Sequence, residues 1–488
     1  MIGIITPETG FLQDFADVVR MFLGDVTVRP GPGDEATYEH SISEEDGAWT
    51  DTWTCGTDTF SSSQPVSGNT PLEVKRYRKR AAKMGLYGLL KRQTGIDPPW
   101  GALTGIRPTR LVYEQLEEGV PLAEAIRRMG EIFDVKPDKA QLLEEIVAMQ
   151  RGVRVPGEGQ FDLYIGIPFC TTRCAYCSFS SGELGDGHLT EPYVEALIRE
   201  IGLCREIALE KGLRLRAGYV GGGTPTAISC GQLRRILAAA MEAFPGAVEW
   251  TVEAGRPDTI DREKLIMLRE MGVGRISVNP QSFSDETLRR IGRAHTGEDT
   301  LRAFALAREE GFTHINMDVI AALPGETIAD FRRTLETVIA LRPESVTVHS
   351  LAIKRSSRLH EQLTKEGGHT QVGVAEAGDM IDFARRALAE GGWRPYYLYR
   401  QKYMAGNLEN VGYALPGNAC LYNIGNMEET SSVLALGAGA ITKWLFDRQR
   451  RIERAPNVKN IEEYIARVDE MARRKRDIIL GISGRTDT

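Results

Sequence analysis

The chain lacks the features that would carry it into or across a membrane. Its 488 residues contain no run of about 18 uncharged apolar residues, the length that a membrane-spanning helix requires. The opening segment MIGIITPETGFLQDF has no basic stretch before its apolar residues and carries acidic residues among them, unlike a signal peptide. We therefore expect a cytoplasmic protein without a membrane partner.

An excess of positive charge and the common nucleotide-binding fingerprints are also missing. The formal net charge is −7, and a mildly acidic chain is a poor general binder of nucleic acid. The basic cluster KRYRKRAAK (75–83) is typical of a solvated helix face. No P-loop occurs, and GYVGGGTPT (218–226) does not match the G-x-G-x-x-G fingerprint of dinucleotide-binding folds. A nucleic-acid partner and a nicotinamide or flavin cofactor are not expected.

Cysteines are few and unevenly distributed. Of seven, three fall within eight residues, at Cys170, Cys174 and Cys177. In a chain without an export signal, such crowding indicates metal binding in a reducing compartment and not a disulfide framework. The scattered cysteines are expected to be small buried or partly buried thiols; they are Cys55, Cys204, Cys230 and Cys420.

The pattern along the chain predicts three domains. An accessory α+β domain is expected over 1–158, with strand-like segments, the polar stretch GTDTFSSSQPVSGNT (56–70) and helices from about Leu72. The Gly- and Pro-containing segment RVPGEGQ (154–160) is typical of a linker. A central domain is expected over 159–360, and a mostly helical C-terminal domain that covers the substrate over 361–488. Within the last, residues 396–440 are expected to be irregular.

Short apolar runs alternate with helical stretches in the central domain. Six strands are expected, at 161–167, 217–221, 248–254, 274–280, 314–323 and 345–353. Strands that alternate with helices form parallel sheets. Because there are six such units and not eight, the fold class predicted is α/β, with an incomplete (β/α)6 barrel.

The spacing Cys170-x3-Cys174-x2-Cys177 follows the first predicted strand. Soft thiolates match iron, so three of them on one loop can bind three irons of a cubane cluster and leave the fourth iron open to a small molecule. Structural zinc usually requires four ligands, and no further CxxC or HxxxH lies nearby.

Polar or glycine-rich residues follow the other strands at the same end. Functional groups of parallel barrels lie at the C-terminal ends of the strands. The segment GGGTP (221–225) follows strand two, Glu253 ends strand three, Gln281 follows strand four and Asp318 lies late in strand five. Each feature is weak alone, but together they predict one ligand site.

The cysteine motif, with Tyr176 before its last cysteine, resembles that of the radical S-adenosylmethionine (SAM) superfamily. The resemblance implies a [4Fe-4S] cluster on Cys170, Cys174 and Cys177 and SAM on the open iron. In that superfamily one electron cleaves SAM to a radical that abstracts hydrogen from the substrate. A low-potential electron donor such as flavodoxin or ferredoxin is then an expected partner.

Further segments narrow the resemblance. YIGIPFCTTRCAYCSF (164–179), NPQSF (279–283), RAHT (293–296) and DVIAALPGET (318–327) are similar to the oxygen-independent coproporphyrinogen III dehydrogenase family. The flanking segments resemble its HemZ-type branch; they are 98–111, 399–417 and 436–443. The resemblance implies SAM contacts from Tyr164, Gly222, Gly223, Thr224, Glu253, Gln281, Arg293 and Asp318.

The implied reaction is the oxidative decarboxylation of coproporphyrinogen III to protoporphyrinogen IX, with two SAM consumed per product. Tyr164 and His349 are the candidate catalytic residues. Fixed cations are expected to bind the four substrate carboxylates. The candidates are Lys354, Arg355, Arg400 and Lys402, for which an ordinary surface role is an open alternative.

The chain departs from this family at two positions. Phe179 stands where the dehydrogenases have a fourth cysteine, and Gly166 stands where they have a histidine. These departures favour the related heme chaperones, but the chain also lacks the H-N-x-x-Y-W heme motif, having GNLENVGY (406–413) instead. Heme trafficking and another radical reaction on a tetrapyrrole therefore stay open.

Overall fold

The computed structural model describes residues 1–105, 107–177, 181–352, 357–359, 361, 374–401, 408–446 and 451–482. The chain forms two compact units, Met1–Glu144 with Arg400–Leu408, and Glu145–Tyr399 with Glu409–Thr488. Phe179, Lys354, Arg355, Lys402 and residues 406–407 lie outside the described residues. The expected divisions at 158 and 360 stay predictions.

The first unit contains a five-stranded sheet in the order β2-β1-β3-β4-β5. Its strands are β1 Ile2–Ile5, β2 Val28–Pro30, β3 Ala36–Glu45, β4 Ala48–Cys55 and β5 Asp58–Pro65. Its helices are α1 Leu12–Leu23, α2 Pro71–Thr94, α3 Pro108–Glu117 and α4 Leu122–Phe133, followed by α5 Pro137–Met149, which runs into the second unit. The α+β character predicted for this region is confirmed.

The polar stretch at 56–70 contains a full strand, β5. Hydroxyl pairs join it to β4, with Oγ1 of Thr50 2.7 Å from Oγ of Ser63 and Oγ1 of Thr52 2.8 Å from Oγ of Ser61. This strand was not predicted from the sequence, because its serine-rich residues lack the alternation of apolar and polar side chains that marks a half-buried strand.

The basic cluster in α2 is largely committed to contacts within this unit. Arg78 is buried and forms ion pairs with Glu8 and Asp51. Arg76 pairs with Glu114 at 3.1 Å. These pairs use charge that a nucleic-acid surface would need to present to solvent.

The second unit contains an eleven-stranded sheet built around the predicted strands. The six are β6 Gln160–Ile167, β9 Arg214–Gly222, β10 Glu249–Val252, β11 Arg275–Ser277, β12 His314–Ala321 and β13 Ser345–Ser350. Each pairs in parallel with the next. The short strands β7 Phe169–Cys170 and β8 Gly182–Glu183 pair beyond the end of β6.

Helices connect these strands, as the alternating pattern predicted. They are α6 Thr190–Lys211, α7 Cys230–Ala243, α8 Arg262–Glu270, α9 Asp285–Arg290, α10 Gly297–Glu309 and α11 Ile328–Leu341. Side-chain caps fix where several begin; Ser229 and Gln232 form a reciprocal capping box at α7, and Thr327 and Asp330 form one at α11.

The C-terminal region extends the sheet at both edges. Its helices are α12 Val374–Glu390, α13 Leu421–Met427, α14 Ile461–Ala466 and α15 Val468–Leu480. Its strands are β14 Arg394–Tyr399, β15 Asn410–Ala414, β16 Val433–Leu436, β17 Ile441–Phe446 and β18 Arg451–Pro456. β15 pairs antiparallel with β13, whereas β16 pairs in parallel with β6.

The expectation of an irregular stretch over 396–440 was wrong. It contains the end of β14, all of β15, α13 and β16. β16 is a run of only four buried apolar residues, which periodicity alone cannot distinguish from a buried helix segment. Over the described residues from 361 onward, helical residues outnumber strand residues, in line with the helical domain expected there, but the strands join the central sheet.

Candidate functional site

Strand register places the predicted polar residues on one face of the sheet. Tyr164 pairs with Tyr219, and Tyr219 pairs with Thr251, two residues before Glu253. Asp318 pairs with Thr347, two residues before His349. Because alternate residues of a strand share a face, these side chains occupy the same side of neighbouring strands.

The cysteine loop begins where β6 ends. Cys170 lies on β7, and its carbonyl oxygen accepts a hydrogen bond from the Leu184 amide at 2.7 Å. Cys174 is buried, and its carbonyl oxygen accepts from the Cys177 amide at 3.1 Å, which turns the chain between the two cysteines.

The glycine-rich turn after β9 packs directly against this loop. The amides of Gly223 and Thr224 donate to the carbonyl oxygens of Ile167 and Phe169, each at 2.8 Å. A Cβ atom on Gly223 would lie 2.6 Å from the Phe169 oxygen and 3.0 Å from the Cys170 Sγ. Only glycine permits this approach. The Thr224 hydroxyl donates to the Cys170 Sγ at 3.5 Å.

Three thiols on one loop are a donor set that suits iron and sulfide. Among the described residues, no three His, Cys, Asp or Glu side chains lie close enough together to hold a single metal ion. A cubane cluster makes a different demand, since each thiolate binds a separate iron. The loop therefore fits a cluster with Cys170, Cys174 and Cys177 as the proposed ligands.

Glu253 follows β10 and has an altered acidity. Burial raises the pKa of Glu253 to about 7, the Tyr219 hydroxyl opposes this shift, and nearby Asp318 adds to it. The Tyr219 hydroxyl donates to Oε1 of Glu253 at 2.6 Å. Near neutral pH this carboxyl group can therefore exist in either state.

Gln281 follows β11, which ends at Ser277, and occupies a strained backbone position. Its φ of 63° lies in the left-handed region, which costs a side-chain-bearing residue about 1–2 kcal/mol. Its amide donates to the carbonyl oxygen of Asp318, and its own carbonyl accepts from the amide of Ile320, both at 3.0 Å. The side chain is only 6% exposed, and Oε1 has no hydrogen-bond partner among the described residues.

Asp318 and His349 form a pair on adjacent strands. Nε2 of His349 lies 3.7 Å from Oδ2 of Asp318, and the Asn316 amide donates to Oδ1 of Asp318 at 2.7 Å. Although burial favours the neutral acid, His349 and Asn316 hold the pKa of Asp318 below its usual value. Asp318 is therefore an ionised hydrogen-bond acceptor at neutral pH.

Arg293 lies between the loops. Its guanidinium donates to the Tyr176 hydroxyl at 3.3 Å and to the Gly255 carbonyl at 3.4 Å. Burial alone would lower the pKa of Arg293, but Tyr176 and Cys174 raise it, so the side chain stays charged. Its Nε is buried and has no hydrogen-bond partner among the described residues.

Tyr164 belongs to a stack of three tyrosines. Its ring centroid is 6.4 Å from that of Tyr219 and 6.3 Å from that of Tyr422, and the latter two are 4.4 Å apart. Burial, followed by the charge of Glu253, raises the pKa of Tyr164, so its hydroxyl stays protonated. Sequence reasoning missed Tyr219, which its spacing of two from Gly221 could have indicated, and Tyr422, which comes from the distant α13.

The residues present fit a polar ligand such as SAM. Buried polar atoms without partners among the described residues occur on Ser277, Gln281 and Arg293. Folded proteins satisfy nearly all such atoms, so these are positions at which a bound ligand would supply missing partners. A ribose and an amino-acid group carry hydroxyl, ammonium and carboxylate groups of the required kinds.

Two further sets of predicted residues have different outcomes. Arg400 belongs to the first unit, where its guanidinium donates to the Leu103 carbonyl at 2.7 Å and lies over Trp100. The scattered cysteines are free thiols, as expected; Cys204 and Cys420 are buried and Cys55 and Cys230 half-buried.

A separate cavity of about 460 Å³ opens at the amino-terminal ends of the strands. It is lined by Glu249, Arg275 and His314, at or near the starts of β10, β11 and β12, and by apolar residues including Trp250 and Leu421. This is the opposite end of the sheet from the cysteine loop, and none of the predicted site residues lines it.

No described helix is both long and apolar enough to cross a membrane. A family model described as the radical SAM superfamily matches residues 164–338, which begin at Tyr164 and include all the predicted SAM contacts.

Relatives and a solved structure extend this match. The chain is 39% identical over 408 residues to an oxygen-independent coproporphyrinogen-III oxidase-like protein, HemZ, of Bacillus subtilis, covering 82% of this chain and 81% of the relative. It is 34% identical over 236 residues to the heme chaperone HemW of the same species, covering 48% and 61%. The coproporphyrinogen III oxidase HemN of Escherichia coli, described as a radical SAM enzyme, matches with a TM-score of 0.52 and 25% identity, covering 68% of this chain and 73% of that one.

Proposed function

This chain belongs to the HemZ-like group of coproporphyrinogen oxidase-like radical SAM proteins, and from that premise we propose that it oxidatively decarboxylates coproporphyrinogen III to protoporphyrinogen IX. Its cofactors are a [4Fe-4S] cluster and SAM. A low-potential donor such as flavodoxin or ferredoxin is the proposed source of electrons, and the cytoplasm is the proposed location.

When bound, these cofactors supply a carbon-centred radical that removes a hydrogen atom β to a propionate carboxylate. The protein's contribution is to bind and orient, which converts a bimolecular encounter into a positioned reaction. Loss of carbon dioxide and transfer of the remaining electron to an external acceptor then leave a vinyl group, and the sequence occurs twice per product.

The proposed roles follow from the charges in the site. Cys170, Cys174 and Cys177 hold the cluster. Ionised Asp318 and the unpartnered Gln281 oxygen are acceptors for ribose hydroxyls. Glu253 in its ionised state accepts from an ammonium group, and charged Arg293 pairs with a carboxylate.

Tyr164 is proposed to pack against SAM from the tyrosine stack, and Gly222, Gly223 and Thr224 to admit its amino-acid part beside the cysteine loop. The hydroxyl of Tyr399 lies 3.4 Å from Nδ1 of His349, leaving Nε2 toward Asp318. His349 is therefore proposed to move a proton at the site or to orient Asp318.

One observation carries the proposal. The turn at Gly223 and the Thr224 hydroxyl pack on the Cys170 thiol in β7. The same end of the sheet carries buried polar atoms without partners among the described residues, and the chain is similar over most of its length to a coproporphyrinogen oxidase-like protein. The substrate itself is taken from the relatives, since the four expected cations include three residues outside the described part.

Heme binding without turnover is the second candidate. The similarity to a heme chaperone at 34% identity favours it. Enzyme and carrier differ in a measurable way, because a carrier binds heme stoichiometrically and passes it on, whereas an enzyme consumes SAM only when its substrate is present.

The test is a single anaerobic assay. The cluster is reconstituted, SAM, a low-potential reductant and coproporphyrinogen III are added, and 5′-deoxyadenosine and protoporphyrin are followed by chromatography. The proposal expects both products, about two deoxyadenosines per porphyrin, and their loss in Cys170→Ala. Slow formation of deoxyadenosine without porphyrin, together with stoichiometric binding in a heme titration, would contradict the dehydrogenase proposal and favour the heme carrier.

A further inference from the structure

The segment between Cys170 and Cys174 is held by residues outside the proposed SAM contacts. The Thr171 hydroxyl donates to Oδ2 of Asp258 at 2.8 Å. The Thr172 carbonyl oxygen accepts from Nη1 of Arg256, also at 2.8 Å. Asp258 and Arg256 lie in the loop after β10, so this one loop holds both residues that follow the first cysteine.

Arg256 and Asp258 also fix each other. Nε and Nη2 of Arg256 donate to the two carboxylate oxygens of Asp258 at 3.0 and 3.2 Å. Arg256 is only 4% exposed, and the Asp258 carboxylate compensates its buried positive charge. Although burial would raise it, nearby His295 and the hydrogen bonds from Arg256 keep the pKa of Asp258 well below its usual value. The carboxylate therefore accepts from Thr171 throughout the working pH range.

A second segment closes the other side of the loop. The Gly292 carbonyl oxygen accepts from the Thr172 hydroxyl at 3.2 Å, and the Ile291 carbonyl accepts from the Ala175 amide at 2.9 Å. Farther along this segment, buried His295 lies with Nδ1 3.7 Å from Oδ1 of Asp258. The residues that separate Cys170 from Cys174 are therefore fixed by side-chain and backbone contacts from two directions.

We propose that Arg256 and Asp258 act as positioning residues that hold the Thr171–Thr172 segment in the conformation that binds the cluster, and so control how tightly the cluster is retained. This inference rests on the proposed assignment of the cluster to the three cysteines. The contacts that hold this segment are all between protein groups.

The physical basis is preorganisation. Each backbone residue that must be ordered on binding costs about 1–2 kcal/mol, and a loop that is already fixed avoids this cost. Partners that orient metal ligands typically change metal affinity by about 10- to 100-fold when they are removed. Loss of the Thr171–Asp258 bond should therefore accelerate release of the cluster without altering its ligands.

The test compares release of the reconstituted cluster to an iron chelator, followed by loss of its visible absorbance under anaerobic conditions. Asp258→Asn is expected to release the cluster about 10- to 100-fold faster than the unsubstituted protein. Thr171→Val, which removes only the hydroxyl, should also accelerate release, and Thr171→Ser, which keeps it, should restore the original rate. Asp261→Asn is the matched control, because that side chain caps α8 by accepting from Lys264 and does not touch the loop.

Thermal unfolding of the cluster-free proteins and electron paramagnetic resonance of the reduced cluster separate positioning from general damage. Unfolding temperatures of the Thr171 variants should match the unsubstituted protein, while the resonance spectrum of Thr171→Val broadens. Equal release rates in Thr171→Val and Thr171→Ser, or equal acceleration in Asp261→Asn, would overturn the inference, as would failure of the unsubstituted protein to bind a cluster. These measurements need no tetrapyrrole. They can therefore support the positioning role of Arg256 and Asp258 even if coproporphyrinogen III is not the substrate.

Discussion

Two buried polar clusters of the second unit differ in how completely their atoms are paired. Glu200 is fully buried and accepts hydrogen bonds from four donors: the amide of Gly437, the Tyr464 hydroxyl, the Asn457 amide and the Lys475 ammonium, at 2.6–2.9 Å. At the site, by contrast, buried atoms of Ser277, Gln281 and Arg293 have no partner among the described residues.

This difference in pairing predicts that the Glu200 cluster stabilises the fold, whereas the cluster at the site binds a ligand. A complete network is expected to stabilise the fold, because removing one member leaves a buried charge unpaired. An incomplete one costs free energy in the isolated protein and recovers it when a ligand supplies the partners. Substitutions in the first cluster should therefore affect unfolding, and those in the second should affect binding.

The largest effect is expected at the cysteine loop. Cys174→Ala should abolish SAM cleavage, because a cluster that loses a thiolate ligand is not retained, while the cluster-free protein unfolds as before. Cys230→Ala, a half-buried thiol outside the loop, is the control and should keep full activity. Iron content and 5′-deoxyadenosine measure both; activity surviving in Cys174→Ala would exclude it as a ligand.

The next effect tests the complete network. Lys475→Met should lower the free energy of unfolding by about 3–5 kcal/mol, because it leaves the Glu200 carboxylate buried without its cation. Arg476→Met removes the neighbouring exposed pair with Glu210 and should cost less than about 1 kcal/mol. Denaturant titration gives both values. A similar loss of unfolding free energy in the two variants would show that the Glu200 network stabilises the fold no more than an exposed ion pair does.

Gln281→Gly should act in the opposite sense. Loss of the unpartnered oxygen should weaken SAM binding by about tenfold, corresponding to one hydrogen bond. The free energy of unfolding should stay constant or rise, because glycine adopts the left-handed conformation without strain. Calorimetry measures the affinity for SAM, and denaturant titration of the same preparation measures the free energy of unfolding. A loss of stability with unchanged affinity would show that Gln281 stabilises the fold and does not bind SAM.

The smallest effect concerns protons at Glu253. Its pKa is raised from 4.5 to about 7 in the folded protein, so its contribution to stability is fully present below pH 4.5 and is lost as the pH rises toward 7. A bound ammonium group favours the ionised form, so SAM binding at pH 7 should release a fraction of a proton. Calorimetry in buffers of different ionisation enthalpy measures this fraction, and it should vanish in Glu253→Gln.

Much of the site could be predicted because the carboxyl ends of parallel strands lie at the same edge of the sheet. Six apolar runs located the strands, and register then placed Glu253 and Asp318 on the same side of the sheet. Gln281 was expected at the same edge only because it follows the fourth strand, and in the structure it bridges Val319. The left-handed backbone at Gln281 could not be predicted, because that conformation is usually marked by a glycine in the sequence and glutamine rarely adopts it. Arg256 and Asp258 were missed because an arginine and an aspartate near a strand end are usually solvated.

The C-terminal contributions could not be predicted for a different reason. Tyr422 and the β16 strand reach the site region only through pairing across most of the chain, and no local pattern marks such partners. Gly437 illustrates this: a Cβ atom there would lie 2.3 Å from the Gly166 carbonyl oxygen, a constraint that appears only once both segments are placed.

The placement of β16 beside β6 has a consequence for synthesis on the ribosome. β6 is the first strand of its sheet to be made, yet its second neighbour, Val433–Leu436, and Lys475, which lies 275 residues after Glu200, are among the last segments to emerge. Until then the edge of β6 stays unpaired, and an open strand edge invites association with other chains. A truncated product ending before residue 433 is therefore expected to aggregate, which makes completion of the nascent chain a condition for its solubility.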